Sequence, residues 1–330
     1  MHVRKARRIA SAIALVGIAG IAGCGGSDGG GSSEGGSASG GSAEKKVLGV
    51  AVPYTQGSFY TGMMHGVREE AKKLGYELIV QDAGGFTNPD KQLSQVQNLI
   101  TQQVTALLVG PIDPASLAPS IEQAKGQKIP VVGAGEPAPG NDSSVASSHC
   151  QIGQAMADGL KDMLPQGGTV AGLAGPPGAN WSTTRWKCFK ERATELKVVA
   201  EKTSDDTADL GVSIGTDMLA REPSLNAIYT ADDVLGQGAA KAVEQARRCK
   251  KTLVVTAVLG EEDKQLLRSG CMSLVVAQQT VEIGRQAVRT ADKLVRGEQV
   301  EPKIEIPTVN VTGENLDEID LSTVESPAGS

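Results

Sequence analysis

Aromatic side chains are scarce: two Trp, four Tyr and three Phe in 330 residues. An aromatic residue placed in a loop therefore carries more information than usual. Histidine is as rare, with three in the chain, which leaves little material for His-based catalysis or metal binding. The five cysteines show no C-x-x-C spacing, so a zinc or thioredoxin-like site has little support. A basic excess is also missing: 32 Lys and Arg face 38 Asp and Glu, a net charge of −6. Nucleic-acid affinity rests on Lys and Arg neutralising phosphates, so that class of partner is excluded as an expectation. No stretch after the N-terminus is apolar for long enough to cross a bilayer.

Catalytic motifs are absent where they would matter. G-x-S-x-G occurs at Gly25–Gly29 and Gly31–Gly35, inside a Gly/Ser tract with no strand before it and no helix after it. Gly133-x-Gly135-x-x-Ala138 mimics a dinucleotide fingerprint, but Pro137 and Pro139 block the helix that would receive the phosphates. Gly175-Pro176-Pro177-Gly178 lacks the Gly-Lys-Ser/Thr of a P-loop. His65 lies in a helical pattern, and the adjacency of His149 and Cys150 makes no catalytic dyad. No enzyme, metal site or cofactor is expected.

The N-terminus has the build of an export signal. Residues 2–8 are basic, Ile9–Ile21 are apolar, and small residues then lead to Ile21-Ala22-Gly23-Cys24. That last string is similar to a bacterial lipobox, which implies cleavage after residue 23 and a lipid on Cys24. Residues 1–23 hold Arg4, Lys5, Arg7 and Arg8 and no carboxylate, so without them 28 basic residues face 38 acidic, a net −10. Residues 24–45 read as a flexible linker, with a mean reach of about 25 Å for a Gly-rich coil of this length. The expected location is the outer face of the cell membrane, with the folded part tethered by its lipid. Four cysteines remain, Cys150, Cys188, Cys249 and Cys271, and an even number in an exported chain suggests disulfides.

From Val47 onward the hydrophobic period alternates between strand and helix. Strands are expected at Val47–Pro53, Glu77–Asp82, Ala106–Gly110 and Ile129–Gly133. Helices are expected between them at Phe59–Leu74, Pro89–Gln103 and Pro114–Ala124. In the second helix Asn88 suits the N-cap and Pro89 the first helical position, while Leu93, Val96, Leu99 and Ile100 share one face. After Ser144 the pattern restarts with a helix at Gln151–Leu164. It ends with a long helix, Val281–Arg296, and a single strand, Lys303–Val309. Alternation of this kind predicts an α/β chain of two doubly wound, parallel-sheet lobes with a ligand cleft between them.

The stretch from Val47 to about Val309 resembles the periplasmic sugar-binding proteins of the ribose-binding type. The signs are Gln56-Gly57-Ser58-Phe59-Tyr60, the helix ending Glu70-Ala71-Lys72-Lys73-Leu74-Gly75-Tyr76, and Pro111-x-Asp113. Others are Ile129-Pro130-Val131-Val132, Arg185-x-x-x-Phe189, Tyr229-Thr230-Ala231-Asp232-Asp233, Gln278, and Ala291-Asp292-Lys293-Leu294-Val295-Arg296-Gly297. The resemblance implies two lobes, 46–147 with 279–307 and 148–278 with 308–330, joined by a three-strand hinge. It implies a small polar ligand, an ABC permease with its ATPase as partners, and lobe closure as the signal. A sensory receptor feeding a membrane kinase or chemoreceptor would use the same closure.

Carried over position by position, the resemblance makes Gln56, Phe59 and Tyr60 first-lobe contacts, Arg185 and Asp232 second-lobe contacts, and Gln278 a hinge contact. Glu136, Trp181, Trp186 and Asp206 are placed in the same cleft. Departures from the family matter for the ligand. Gly135-Glu136 stands where the sugar binders carry Asp-Arg, Val258 replaces a common aspartate, and an aromatic is missing near Asp206. A sugar, a polyol, a modified sugar and a cationic, amine-bearing compound all stay open. The implied crossover also places Cys150 near the helix of Cys188, and Cys249 near Cys271, which favours Cys150–Cys188 and Cys249–Cys271 among the three possible pairings.

Overall fold

A computed structural model describes residues 45–325. The proposed signal peptide, Cys24, all of the linker before Lys45, and the last five residues lie outside the described residues.

The first lobe begins with β1 (Val47–Val52), α1 (Ser58–Lys73), β2 (Glu77–Asp82), α2 (Pro89–Thr101) and β3 (Ala106–Val109). It continues with α3 (Pro114–Gly126), β4 (Val131–Ala134) and β5 (Ser143–Ala146). The second lobe holds α4 (His149–Met163), β6 (Gly168–Leu173), α5 (Asn180–Arg192), β7 (Leu196–Lys202) and α6 (Ala208–Arg221). It runs on through β8 (Ala227–Thr230), α7 (Asp233–Gln245), β9 (Leu253–Ala257), α8 (Glu261–Ser269) and β10 (Leu274–Gln278). The chain then returns to the first lobe as α9 (Thr280–Val295) and β11 (Lys303–Glu305), and crosses once more into β12 (Thr308–Val311).

Each lobe is one six-stranded sheet, in the orders β11-β5-β4-β3-β1-β2 and β12-β10-β9-β8-β6-β7. All pairings are parallel except β10 with β12. Central strands such as β3, β4 and β8 are buried at every residue, as a sheet covered by helices on both faces requires. The crossings fall between β5 and α4, between β10 and α9, and between β11 and β12.

Helix starts follow local chemistry. Asp113, Ser148, Thr207 and Asp232 cap α3, α4, α6 and α7 through their side-chain oxygens. Asn88 stands at the N-cap of α2, as expected, but makes no side-chain cap bond: its amide donates to the Ala83 carbonyl, at 3.2 Å. Pro89 still occupies the first turn. Two other expectations are corrected. The stretch Lys303–Val309 is not one strand but β11 and β12, in different sheets, broken at Ile306-Pro307. Proline has no amide hydrogen to give a ladder, so the chain changes sheets there. Ser143–Ala146 forms the buried strand β5, although its serines hide the usual apolar signal.

Helix α4 lies close against α5. A Cβ on Gly153 would sit 2.1 Å from the Arg185 carbonyl oxygen, so only glycine allows this approach. Cys150 and Cys188 form a disulfide across the same helix pair, with Cα atoms 5.1 Å apart. A second disulfide joins Cys249 to Cys271, with Cα atoms 4.3 Å apart. Non-reducing peptide mapping should recover these two pairs and no free thiol among the four. A Cys249→Ser, Cys271→Ser double variant should lose about 2–4 kcal/mol of unfolding free energy in a denaturant titration. Crossed pairs, or an unchanged midpoint, would contradict the pairing.

Beyond β12 the chain does not leave the fold. Leu316 and Val324 join the second lobe's core, and Lys264 pairs with Glu325 at 2.9 Å. The same segment reaches the first lobe. The Glu282 amide donates to the Thr323 carbonyl at 3.1 Å, and Thr280 Oγ1 donates to the Val324 carbonyl at 2.5 Å.

Candidate ligand cleft

A cavity of about 300 Å³ lies between the lobes. Its walls come from loops at the carboxyl ends of the strands in both sheets. In the first lobe these are Tyr54 after β1, Phe86 after β2, Pro111–Asp113 after β3, Glu136 after β4, and the start of α1. In the second lobe they are Trp181 and Arg185 after β6, Asp206 after β7, Asp232 and Asp233 after β8, Val258 after β9, and Gln278 at the end of β10. Helix dipoles and strand ends converge there, which is where doubly wound sheets bind ligands.

Five of the nine aromatic residues line this space: Tyr54, Phe59, Tyr60, Phe86 and Trp181. The first four form one cluster, with ring centroids of Tyr54 and Tyr60 5.0 Å apart and of Phe59 and Tyr60 5.1 Å apart. Gly135 adopts φ +84°, and a Cβ there would meet the Phe59 ring at 2.9 Å. The turn after β4 therefore admits the ring only because residue 135 has no side chain. Gln92 pins the neighbouring loop. Its buried amide donates to the Gly110 carbonyl and accepts from the Ile112 amide, both at 2.8 Å.

The polar half of the cleft belongs to the second lobe. Arg185 is 4% exposed. Its Nη1 donates to the Ala231 carbonyl at 2.8 Å, its Nη2 donates to Gln278 Oε1 at 2.7 Å, and its guanidinium lies 5.1 Å from the Trp181 ring centre. Arg185 Nε and Gln278 Nε2 are buried and have no partner within the protein. Both belong to residues that line the cavity, and buried donors without partners are costly. A ligand oxygen would satisfy them.

Carboxyls crowd the same lobe. Burial raises both Asp206 and Asp232 above the usual carboxylate range, with Asp233 adding to the rise of Asp206 and Asp206 to that of Asp232, while Arg185 opposes both. Asp233 is pushed up to about 7, first by burial and then by Asp232. Asp206 Oδ1 is buried and unpartnered.

Two contacts bridge the lobes at the rim. Ser58 Oγ donates to Asp233 Oδ2 at 2.6 Å, and Glu136 Oε1 lies 2.5 Å from His149 Nε2. Burial holds the His149 imidazole below its usual pKa against the opposing pull of Glu136. Val258 closes the floor at φ +66°, a conformation a β-branched residue rarely adopts. Holding it there costs on the order of 1–3 kcal/mol.

Phe59, Tyr60, Glu136, Trp181, Arg185, Asp206, Asp232 and Gln278 therefore meet at one cavity. Gln56 does not. It is exposed and precedes Gly57, whose φ of +77° turns the chain into α1 and leaves Gln56 outside the wall. Trp186 also stands elsewhere. It is 4% exposed in the second lobe's core, its ring stacked on Phe189 at 5.3 Å between centroids. Adjacent helical residues diverge by about 100°, so Arg185 and Trp186 cannot face the same space, whereas Trp181 lies on the Arg185 face one turn away. Tyr54, Phe86, His149 and Asp233 line the cleft without having been selected from sequence. The signal for three of them was available: each follows the end of a strand.

Two parallel-sheet lobes, a three-strand hinge and a cleft walled by both lobes define a two-lobed solute-binding protein. A family model described as "Periplasmic binding protein domain" matches residues 48–299. The chain belongs to that family, whose members bind solutes rather than transform them. It is 30% identical over 264 residues to the ribose import binding protein of Bacillus subtilis (strain 168), covering 79% of this chain and 85% of that one. It is 28% identical over 285 residues to a xylitol-binding protein of Mycolicibacterium smegmatis, covering 83% and 79%. Among solved structures, a solute-binding protein from Bacillus halodurans C-125 with bound myo-inositol superposes with a TM-score of 0.77 at 25% identity, covering 84% of this chain and 98% of that one.

Proposed function

We propose that this chain captures a sugar, polyol or sugar-like solute outside the cytoplasm and presents it to an ABC importer. The observation that carries this reading is the inter-lobe cavity of about 300 Å³, with aromatics on one lobe and unpartnered donors on the other. Aromatic faces suit the C–H faces of a ring or polyol, and Arg185 and Gln278 suit its hydroxyls. The relatives' names, which cite ribose, xylitol and myo-inositol, support the same ligand class. The lobes are taken as 46–147 with 279–307 and 148–278 with 308–330. Closure brings Ser58 to Asp233 and Glu136 to His149, and the closed shape is what a permease and its ATPase would read.

Anchoring is part of the proposal. Cys24 carries the lipid, and the linker holds the lobes off the membrane. No helix among the described residues is long and apolar enough to cross a membrane. Cys24→Ala should move the protein from the membrane fraction to the soluble exported fraction while leaving its thermal unfolding unchanged. Retention at the wild-type level would remove the anchor from the reading. Ligand identity is tested by mass spectrometry of whatever the purified, denatured protein releases. Scattering measurements should show compaction when that compound is added back, and no compaction would overturn capture by closure.

A further inference from the structure

The walls of the cleft carry an excess of acid that a neutral sugar would leave uncompensated. Asp113, Glu136, Asp206, Asp232 and Asp233 line the cavity, Asp113 is exposed and caps α3, and Arg185 is the only Lys or Arg on the wall among the described residues. Arg185 brings one positive charge to several carboxyls, and its Nη1 and Nη2 donate to Ala231 and Gln278 rather than to a carboxylate. Glu136 faces His149, and Asp233 accepts from Ser58. One Asp232 oxygen accepts from the Leu235 amide as the cap of α7. What is left over is the Asp206 carboxyl and the second oxygen of Asp232.

Two carboxyls sharing a buried site cannot both be ionised without a counter-charge. Arg185 offsets them with a single positive charge, which cannot balance two carboxylates. Asp206 Oδ1, an acceptor, is buried there without a partner. The independent sign that a ligand completes the site is the pair of buried donors, Arg185 Nε and Gln278 Nε2, in side chains 4% and 0% exposed. The cavity thus asks for oxygen beside Arg185 and Gln278 and for a donor bearing positive charge beside Asp206 and Asp232. The aromatic faces of Tyr54, Tyr60 and Trp181 lie along the same walls, and such faces also attract cations.

We propose that the ligand is a polyol or sugar bearing a protonated amine, with its ammonium against Asp206 and Asp232 and its hydroxyls toward Arg185 and Gln278. This rests on the reading of the cleft as a sugar-like solute site, and narrows it. The ammonium takes hydrogen bonds to both carboxylates, so both can be charged at once. A hydroxyl in the same place has no charge with which to offset them. Charge-assisted bonds of this kind are stronger than neutral ones.

The test is isothermal titration of the full chain at neutral pH with matched pairs. These are glucamine against sorbitol, glucosamine against glucose, and an aminodeoxyinositol against myo-inositol. In at least one pair the amine should bind about 10- to 100-fold more tightly, the span of a hydrogen bond to a charged group. Asp206→Asn should shrink that preference to a few-fold. Asp232→Asn, which preserves a capping side chain, should do the same. If hydroxyl partners bind as well as or better than amines in every pair, the amine is wrong and the sugar-like site stands. If no compound of either kind binds, and none compacts the protein in scattering, the sugar-like reading falls with it. A preference for amines that survives both Asn variants would also overturn the assignment to this carboxyl pair.

Discussion

Arg185→Ala is expected to weaken binding of the native ligand by at least the roughly 1.5–3 kcal/mol of a hydrogen bond to a charged group. The loss has several parts. Nε no longer meets a ligand oxygen, and Gln278 Oε1 and the Ala231 carbonyl lose their donors in a buried place. Trp181 loses the guanidinium 5.1 Å from its ring centre. Arg185→Lys should not restore affinity. A single ammonium cannot reach Ala231, Gln278 and the ligand from one position, whereas the planar fork does. Titration calorimetry reads the effect, and circular dichroism checks that the fold survives. Unchanged affinity in Arg185→Ala would remove the best-matched residue from the site.

The second large expectation concerns acidity. Asp233 is pushed up from 3.8 to about 7 in the closed chain, chiefly by burial. A carboxyl with a raised folded value favours the buried form below its ordinary value, and that advantage is lost as pH rises through the raised one. For Asp233 the window runs from about 4 to about 7, and complete loss corresponds to roughly 4 kcal/mol. Asp232, Asp206 and Asp263 are raised in the same direction by burial. His149 opposes them, because its lowered value disfavours the buried form in acid, but it is one group against four.

The ligand-free protein should therefore be more compact and melt at a higher temperature at pH 5 than at pH 8. Small-angle scattering and calorimetry would show this directly. Asp233→Asn keeps an acceptor for Ser58 and should flatten part of the dependence. Equal compactness at both pH values, or greater compactness at pH 8, would contradict the role given to these carboxyls.

Much of this site could be read before any coordinates. Strand ends in a doubly wound sheet name the loops that face a ligand, and Phe59, Tyr60, Glu136, Asp206 and Asp232 all sit in such loops or just beyond them. What the pattern could not supply was direction. Trp186 borders Arg185 in sequence yet points into the core, because one residue along a helix is a third of a turn. His149 looked isolated beside Cys150, and its partner Glu136 comes from a different strand's loop. The split at Ile306-Pro307 was hidden by continuous β-like composition on both sides, since periodicity does not say which sheet a strand will join. Serine-rich β5 escaped for the opposite reason: its burial is satisfied by hydrogen bonds such as Ser143 Oγ to the Glu301 carbonyl at 2.7 Å, not by apolar side chains.

The segment after β12 changes what kind of joint the two lobes share. Three strands crossing side by side would act as a door hinge, free to swing about one line. The returning tail fastens to Thr280 and Glu282 on one leaf and to Lys264 on the other. A Cβ at Gly62 on α1 would approach the Val324 carbonyl oxygen to 3.2 Å, so the same end also lies close to that helix. It behaves as a door stay. A swing wide enough to stretch it must either strip two hydrogen bonds from the start of α9 or peel Val324 out of the second lobe's core. Opening of the cleft therefore works against contacts made by residues 312–325, none of which lines it.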